Sequence, residues 1–357
     1  MAPAYIANSA DSHVLEPEDI WQKNVPAKLR DRALRTEKQS EKLEVIYLDN
    51  KIIRRQPPSF SAMQRPPGAY DVNERLKDLE EQGVWHEVVY PSGGLWVALA
   101  QDPELEHAMC RVYNEWLLGS FLAASSRFVG VAMVPVRERR RAVEEARWAK
   151  EQGYRAIMMP CTPPEDARYN AADYEALWTE AEEMGLRICF HVGTGTDPIV
   201  ESGSGGAVIN YLETFVPAQR SLSYLVASGV IDRHPDLHFV FVEGGASWLA
   251  GVVERLDEGY RQHNVWARPK LSAMPGELIR RQVHVTFQHD RAALFTTEIS
   301  GLESLMWGSD YPHLEGTFPH TRKAVEEVFA GVPGDVRAAA TFGNLARIFD
   351  VPPPPSA

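Results

Sequence analysis

From residue 71 onward, the hydrophobic and polar positions fall into a repeating rhythm. Segments with apolar residues three or four apart alternate with short runs that are apolar on both faces, and a glycine often separates the two. The pattern predicts helix over 71–82 stopped by Gly83, strand over 84–90, helix over 103–125 and strand over 128–136. Helix 137–152 with its stop at Gly153, strand 156–159, helix 171–184 and strand 187–191 follow. Next come helix 211–228, strand 238–243, helix 246–263, strand 283–287, helix 291–300 and strand 305–310. Helices over 321–329 and 335–349 close the pattern before a Pro-rich tail at 351–357. An extended run over 5–10 leads into Asp11-Ser12-His13 and makes the strands eight.

Strands apolar on both faces are parallel strands covered by helices, and eight βα units predict a (β/α)8 TIM barrel spanning 1–350. An open doubly wound sheet is the alternative, but it requires a Gly-rich phosphate turn after an early strand. The Gly-rich stretch 193–206 instead follows a mid-chain strand and lacks a Lys-Ser or Lys-Thr ending, which predicts a mobile active-site loop. Residues 25–70 break the rhythm with charged residues, a hairpin around Asp49-Asn50 and a Pro-rich loop over 56–68. An insertion of this length after the first strand predicts a lid or contact surface. Arg54 and Arg65 lie in it, either as solvated surface residues or as contacts to an anionic substrate.

Charge and composition narrow the function classes. A formal charge of −12 over 357 residues repels nucleic acid and anionic membrane surfaces. The one dense basic run, Arg137 with Arg139–Arg141, is followed by Glu144 and Glu145 and reads as a solvated helix start. No apolar stretch has the length of a membrane span and no leader pattern begins the chain, so the expectation is a soluble, cytoplasmic protein. Cys110, Cys161 and Cys189 share no short spacing, which points to buried thiols rather than a disulfide framework or a cysteine zinc site.

The candidate chemistry lies where apolar runs end in polar residues: Asp11-Ser12-His13, His191, Glu243 and Asp310. Asp11 and His13 are two apart on a strand and share a face. In a barrel, all these strand ends open at one mouth. Imidazole and carboxylate together suit a divalent ion, zinc first, with manganese or iron as alternatives. Asp310 either binds the ion or takes a proton from its water, and Glu243 is a candidate general acid or base. His313 and His289, also near strand ends, are candidates for contact with a small-molecule substrate.

These motifs carry a resemblance. Ser9-Ala10-Asp11-Ser12-His13 with Glu16-Pro17, Phe190-His191-Val192-Gly193, Val242-Glu243-Gly244-Gly245, Trp307-Gly308-Ser309-Asp310-Tyr311-Pro312-His313 and Phe342-Gly343-Asn344-Leu345-Ala346-Arg347 resemble the amidohydrolase-related family. The branch in question includes aminocarboxymuconate semialdehyde, resorcylate and carboxyvanillate decarboxylases. The resemblance implies one divalent ion held by Asp11, His13, His191 and Asp310, and a homodimer. This chain departs from the decarboxylases twice, with Asp11 where His or Glu is usual and Glu243 where they carry a catalytic His. A carboxylate does not take the cationic part of that His, so the expectation tilts toward hydrolysis of a small, carboxylated substrate by metal-activated water. Decarboxylation on the same site and a metal-free lactonase-like reaction are the alternatives, followed by a non-catalytic binding barrel.

Overall fold

The computed structural model describes residues 5–59, 65–165, 168–195 and 200–355. Strand β1 (Ala7–Val14) comes first, followed by a separate antiparallel sheet of β2 (Arg35–Ser40), β3 (Leu43–Leu48) and β4 (Lys51–Gln56). Seven further strands join β1 in chain order: β5 (Val84–Pro91), β6 (Phe128–Met133), β7 (Ala156–Pro160), β8 (Arg187–His191), β9 (Phe239–Val242), β10 (Val283–Phe287) and β11 (Leu305–Trp307). All their pairings are parallel. The first and last strands meet through a bridge between Ser12 and Tyr311, so the sheet rolls into a (β/α)8 barrel with helices outside.

The expected strands are present because their residues are buried from both sides, by helices without and by one another within. The helices start and stop by local chemistry. In Val72–Gln82, the Asp71 carboxylate accepts from the amides of Asn73 and Glu74, and Gly83 ends the helix at φ +76°.

The differences from expectation are local. The stretch expected as one helix over 211–228 is two, Gly206–Leu212 and Phe215–Ala227, and the last strand stops at Trp307 rather than at residue 310. A helix at Pro275–Gln282 has only eight residues, too few for a clear period. In the insertion, the expected hairpin is β3 and β4, but β2 adds an edge. Its sequence Arg-Thr-Glu-Lys-Gln-Ser is mostly exposed and carries no apolar alternation to betray it. Residues 60–64 of the expected Pro-rich loop and 196–199 of the Gly-rich loop lie outside the described residues. No helix among the described residues is long and apolar enough to cross a membrane, and the three cysteines are buried and unpaired.

The seam between β1 and β11 positions the chemistry. The Asp310 amide donates to Asp11 O at 2.9 Å and the His13 amide to Tyr311 O at 2.5 Å. Ser9 Oγ accepts from the Ser309 amide at 2.8 Å and donates to Asp11 O at 2.7 Å, which explains small polar residues inside a buried strand. Gly308 is required by this close approach, because a Cβ there meets Asp11 Cβ at 2.6 Å and Asp11 N at 3.1 Å. Gly308→Ala therefore forces the two strands apart. The expected outcome is a loss of about 1–3 kcal/mol in denaturant unfolding, together with weakened metal binding measured by competition with a chelator.

Candidate metal centre

At the C-terminal mouth, the strand ends bring together Asp11 and His13 from β1, His191 from β8, Glu243 just past β9, and Asp310 and His313 after β11. Asp11, His13, His191 and Asp310 are fully buried, while the side chains of Glu243 and His313 are 14% and 13% exposed. These residues therefore form a floor and a rim. His13 Nε2 lies 3.2 Å from His191 Nε2, 3.6 Å from Asp11 Oδ1 and 3.5 Å from Asp310 Oδ1. On the rim, His313 Nδ1 is 2.9 Å from Asp310 Oδ1 and 3.9 Å from Glu243 Oε1, and its ring stands 4.0 Å from that of His13.

The backbone holds these donors firmly. The Nδ1 of His13 donates to Pro91 O at 2.7 Å and that of His191 to Val192 O at 2.9 Å. Since a carbonyl only accepts, both rings carry the proton on Nδ1 and present the Nε2 lone pair to the centre. Glu243 and Asp310 sit at φ +68° and +52°, in the left-handed region that costs a non-glycine residue about 1–2 kcal/mol. Neighbours fix the turn at Glu243. The Glu243 amide donates to Thr286 Oγ1 at 2.8 Å, and Asp290 accepts from the amides of Ala246 and Ser247.

The centre fits a cation. Asp11 Oδ1 and both oxygens of Asp310 are buried without a hydrogen-bond partner, and the His313 approach to Asp310 is an ion-pair contact without hydrogen-bond alignment. Burial, then the neighbouring His313 and His191, holds His13 well below the usual imidazole range, so it is a neutral donor. Burial, then Glu243, pushes Asp310 well above the usual carboxylate range, and burial also raises Glu243. Burial alone lowers His313, but Asp310 and Glu243 outweigh it and hold the ring well above an ordinary histidine.

Of the other candidates, Arg54 on β4 stands 5.9 Å from the Trp96 ring, and Arg65 pairs with Glu18 at 3.0 Å. His289 is exposed and outside the cluster. Its neighbour Gln288 faces inward instead, with Nε2 3.4 Å from Asp11 Oδ2. The buried Arg75 was not foreseen. It pairs with Glu87 at 2.8 Å, donates to His13 O at 3.1 and 3.2 Å, and lies 3.7 Å over the Tyr311 ring. One guanidinium thus ties β1, β5 and the turn after β11 together. The signal was present, since Arg75 occupies a core-spaced place between Val72 and Leu79. Leu95, Val97, Met133, Met158, Pro160 and Thr194 line a mainly apolar cavity of only about 10 Å³, room for little more than one water.

The amidohydrolase family model matches residues 74–351. The chain belongs to the amidohydrolase family. An amidohydrolase from Mycobacterium avium subsp. paratuberculosis shares the fold with a TM-score of 0.78 and 18% identity, over 97% of this chain and 99% of that one. The 5-carboxyvanillate decarboxylase of Sphingomonas paucimobilis follows at 0.70 and 21%, over 98% and 100%. A 5-carboxyvanillate decarboxylase from Novosphingobium aromaticivorans, solved with manganese and 4-hydroxy-3-methoxy-5-nitrobenzoic acid, gives 0.70 and 17% over 97% and 96%. This amidohydrolase thus has the barrel of enzymes that include metal-dependent decarboxylases.

Binding an ion here must displace protons that the raised carboxyls of Asp310 and Glu243 retain, so affinity rises with pH. Titrating manganese or zinc into weakly buffered, metal-free protein is expected to acidify the solution. An excess of about 100 times the dissociation constant is expected to stabilise the fold by about 2.7 kcal/mol in thermal unfolding. His191→Ala is expected to lose both effects.

Proposed function

We propose that this amidohydrolase is a metal-dependent carboxy-lyase that releases carbon dioxide from a small organic acid. The observation that carries this reading is the imidazole of His313 at the mouth, 2.9 Å from Asp310 and 3.9 Å from Glu243. Sequence alone favoured hydrolysis because Glu243 stands where the decarboxylases have a catalytic His. His313, on the loop after β11, brings an imidazole to within 3.9 Å of Glu243 and supports an acid at this mouth.

Asp11, His13, His191 and Asp310 hold a divalent ion, manganese or zinc, which when bound supplies positive charge to anchor the substrate's carboxylate end. His313 is the acid. The bond between the carboxyl carbon and its neighbour breaks with its electron pair left on the neighbour, that carbon takes the Nδ1 proton of His313, and carbon dioxide departs. Solvent then reprotonates the ring, which Asp310 and Glu243 keep in its charged form. Hydrolysis is the second reading, supported by the two unpartnered oxygens of Asp310, either of which can take a proton from water.

The relatives' substrates suggest hydroxylated benzoates as the first panel. With metal-loaded enzyme in deuterated water, the expected product carries one deuterium at the vacated carbon, with carbon dioxide released in equal amount. His313→Gln is expected to lower kcat by about 10²–10⁴-fold while the ion stays bound. Oxygen from labelled water in the product, with no carbon dioxide, establishes hydrolysis instead.

A further inference from the structure

Glu243 lies within one ion's reach of both imidazole donors. Its Oε2 is 3.4 Å from His191 Nε2 and 4.0 Å from His13 Nε2. The two imidazole nitrogens are 3.2 Å apart, Asp11 Oδ1 is 3.6 Å from each of them, and Asp310 Oδ1 is 3.5 Å from His13 Nε2. Two atoms bound to one ion at roughly 2.1 Å stand no more than roughly 4.2 Å apart, a limit that every one of these separations meets.

We infer that Glu243 is a metal ligand, and that one ion is held by five donors: Asp11, His13, His191, Glu243 and Asp310. This deepens the metal-dependent reading above and rests on it. The donors also divide into two overlapping groups, Asp11 with His13 and His191, and His13 with Glu243, Asp310 and His313. They do not serve two ions, because His13 belongs to both groups and has one lone pair to give, its Nδ1 being committed to Pro91 O. Asp310, fully buried with both oxygens unpartnered, faces the same point.

Three carboxylate oxygens and two imidazole nitrogens form a harder, higher-coordinate set than a four-donor zinc site. They suit manganese or ferrous iron in octahedral geometry, with a single position left for a substrate oxygen. Bound in this way, Glu243 has no free carboxylate to act as base, and proton transfer falls to His313.

The test is cobalt binding to metal-free protein, followed by chelator competition and visible absorption. Wild type is expected to bind one cobalt per chain with the weak bands of five or six donors. Glu243→Gln, with its circular dichroism unchanged, is expected to lose affinity by about tenfold or more, and its bands to intensify and shift as a donor is lost. His313→Gln is expected to keep the wild-type spectrum. Should Glu243→Gln misfold, Glu243→Asp provides the same readout, because its shortened carboxylate falls short of the ion. Affinity within about twofold of wild type and an unchanged spectrum in the Glu243 variant overturn the inference and leave the carboxy-lyase reading standing. Two cobalt ions per chain overturn it in favour of a two-ion centre. No ion in the wild type overturns both readings.

Discussion

Three carboxylates share a pocket that excludes most water, and the rest of the site answers to their charge. Asp11 and Asp310 are fully buried, Glu243 nearly so, and no lysine or arginine pairs with any of them. Desolvating one uncompensated carboxylate costs several kcal/mol, so the arrangement is tenable only with protons or a cation among them. Arg75, the nearest buried guanidinium, is engaged by Glu87 and by His13 O. A divalent ion among them would offset most of that negative charge.

This balance depends on bringing distant residues into register, and the seam between the first and eighth strands does that. Asp11 and Asp310 are 299 positions apart, yet the Asp310 amide donates directly to Asp11 O. Gly308 allows the approach, Ser9 and Ser309 join the strands by hydroxyl contacts, and Arg75 braces both from behind. A rigid seam matters for function, because the donors must meet one ion within a few tenths of an ångström, and strands position side chains more finely than loops do. The strain at Asp310 is sustained by its amide's bond to Asp11 O and that at Glu243 by its amide's bond to Thr286.

Most of the barrel was legible in the sequence, because buried parallel strands and amphipathic helices leave distinct periods that glycines punctuate. What escaped left no period. β2 is a charged edge, and Pro275–Gln282 is too short to show a repeating face. The chemical residues were legible where an apolar run ended in a polar side chain, as at His191 and Glu243. Such a rule places a residue at the mouth without saying which way it turns. It therefore singled out His289, although it is the neighbouring Gln288 that faces Asp11. Arg75 was hidden by being read as part of a helix face, when a charge at a core-spaced position marks a buried ion pair.

The most instructive case is the imidazole at the rim. Along the chain, Glu243 and His313 are 70 positions apart and follow different strands. In space, His313 Nδ1 is 3.9 Å from Glu243 Oε1, so a histidine on the turn after β11 reaches the same mouth as a carboxylate after β9. Its ring lies 4.0 Å from that of His13. The Glu243 carboxylate lies 3.9 Å from the His313 ring and 3.4 Å from the imidazole of His191. What converges on the mouth, rather than which strand delivers it, sets the chemistry available there.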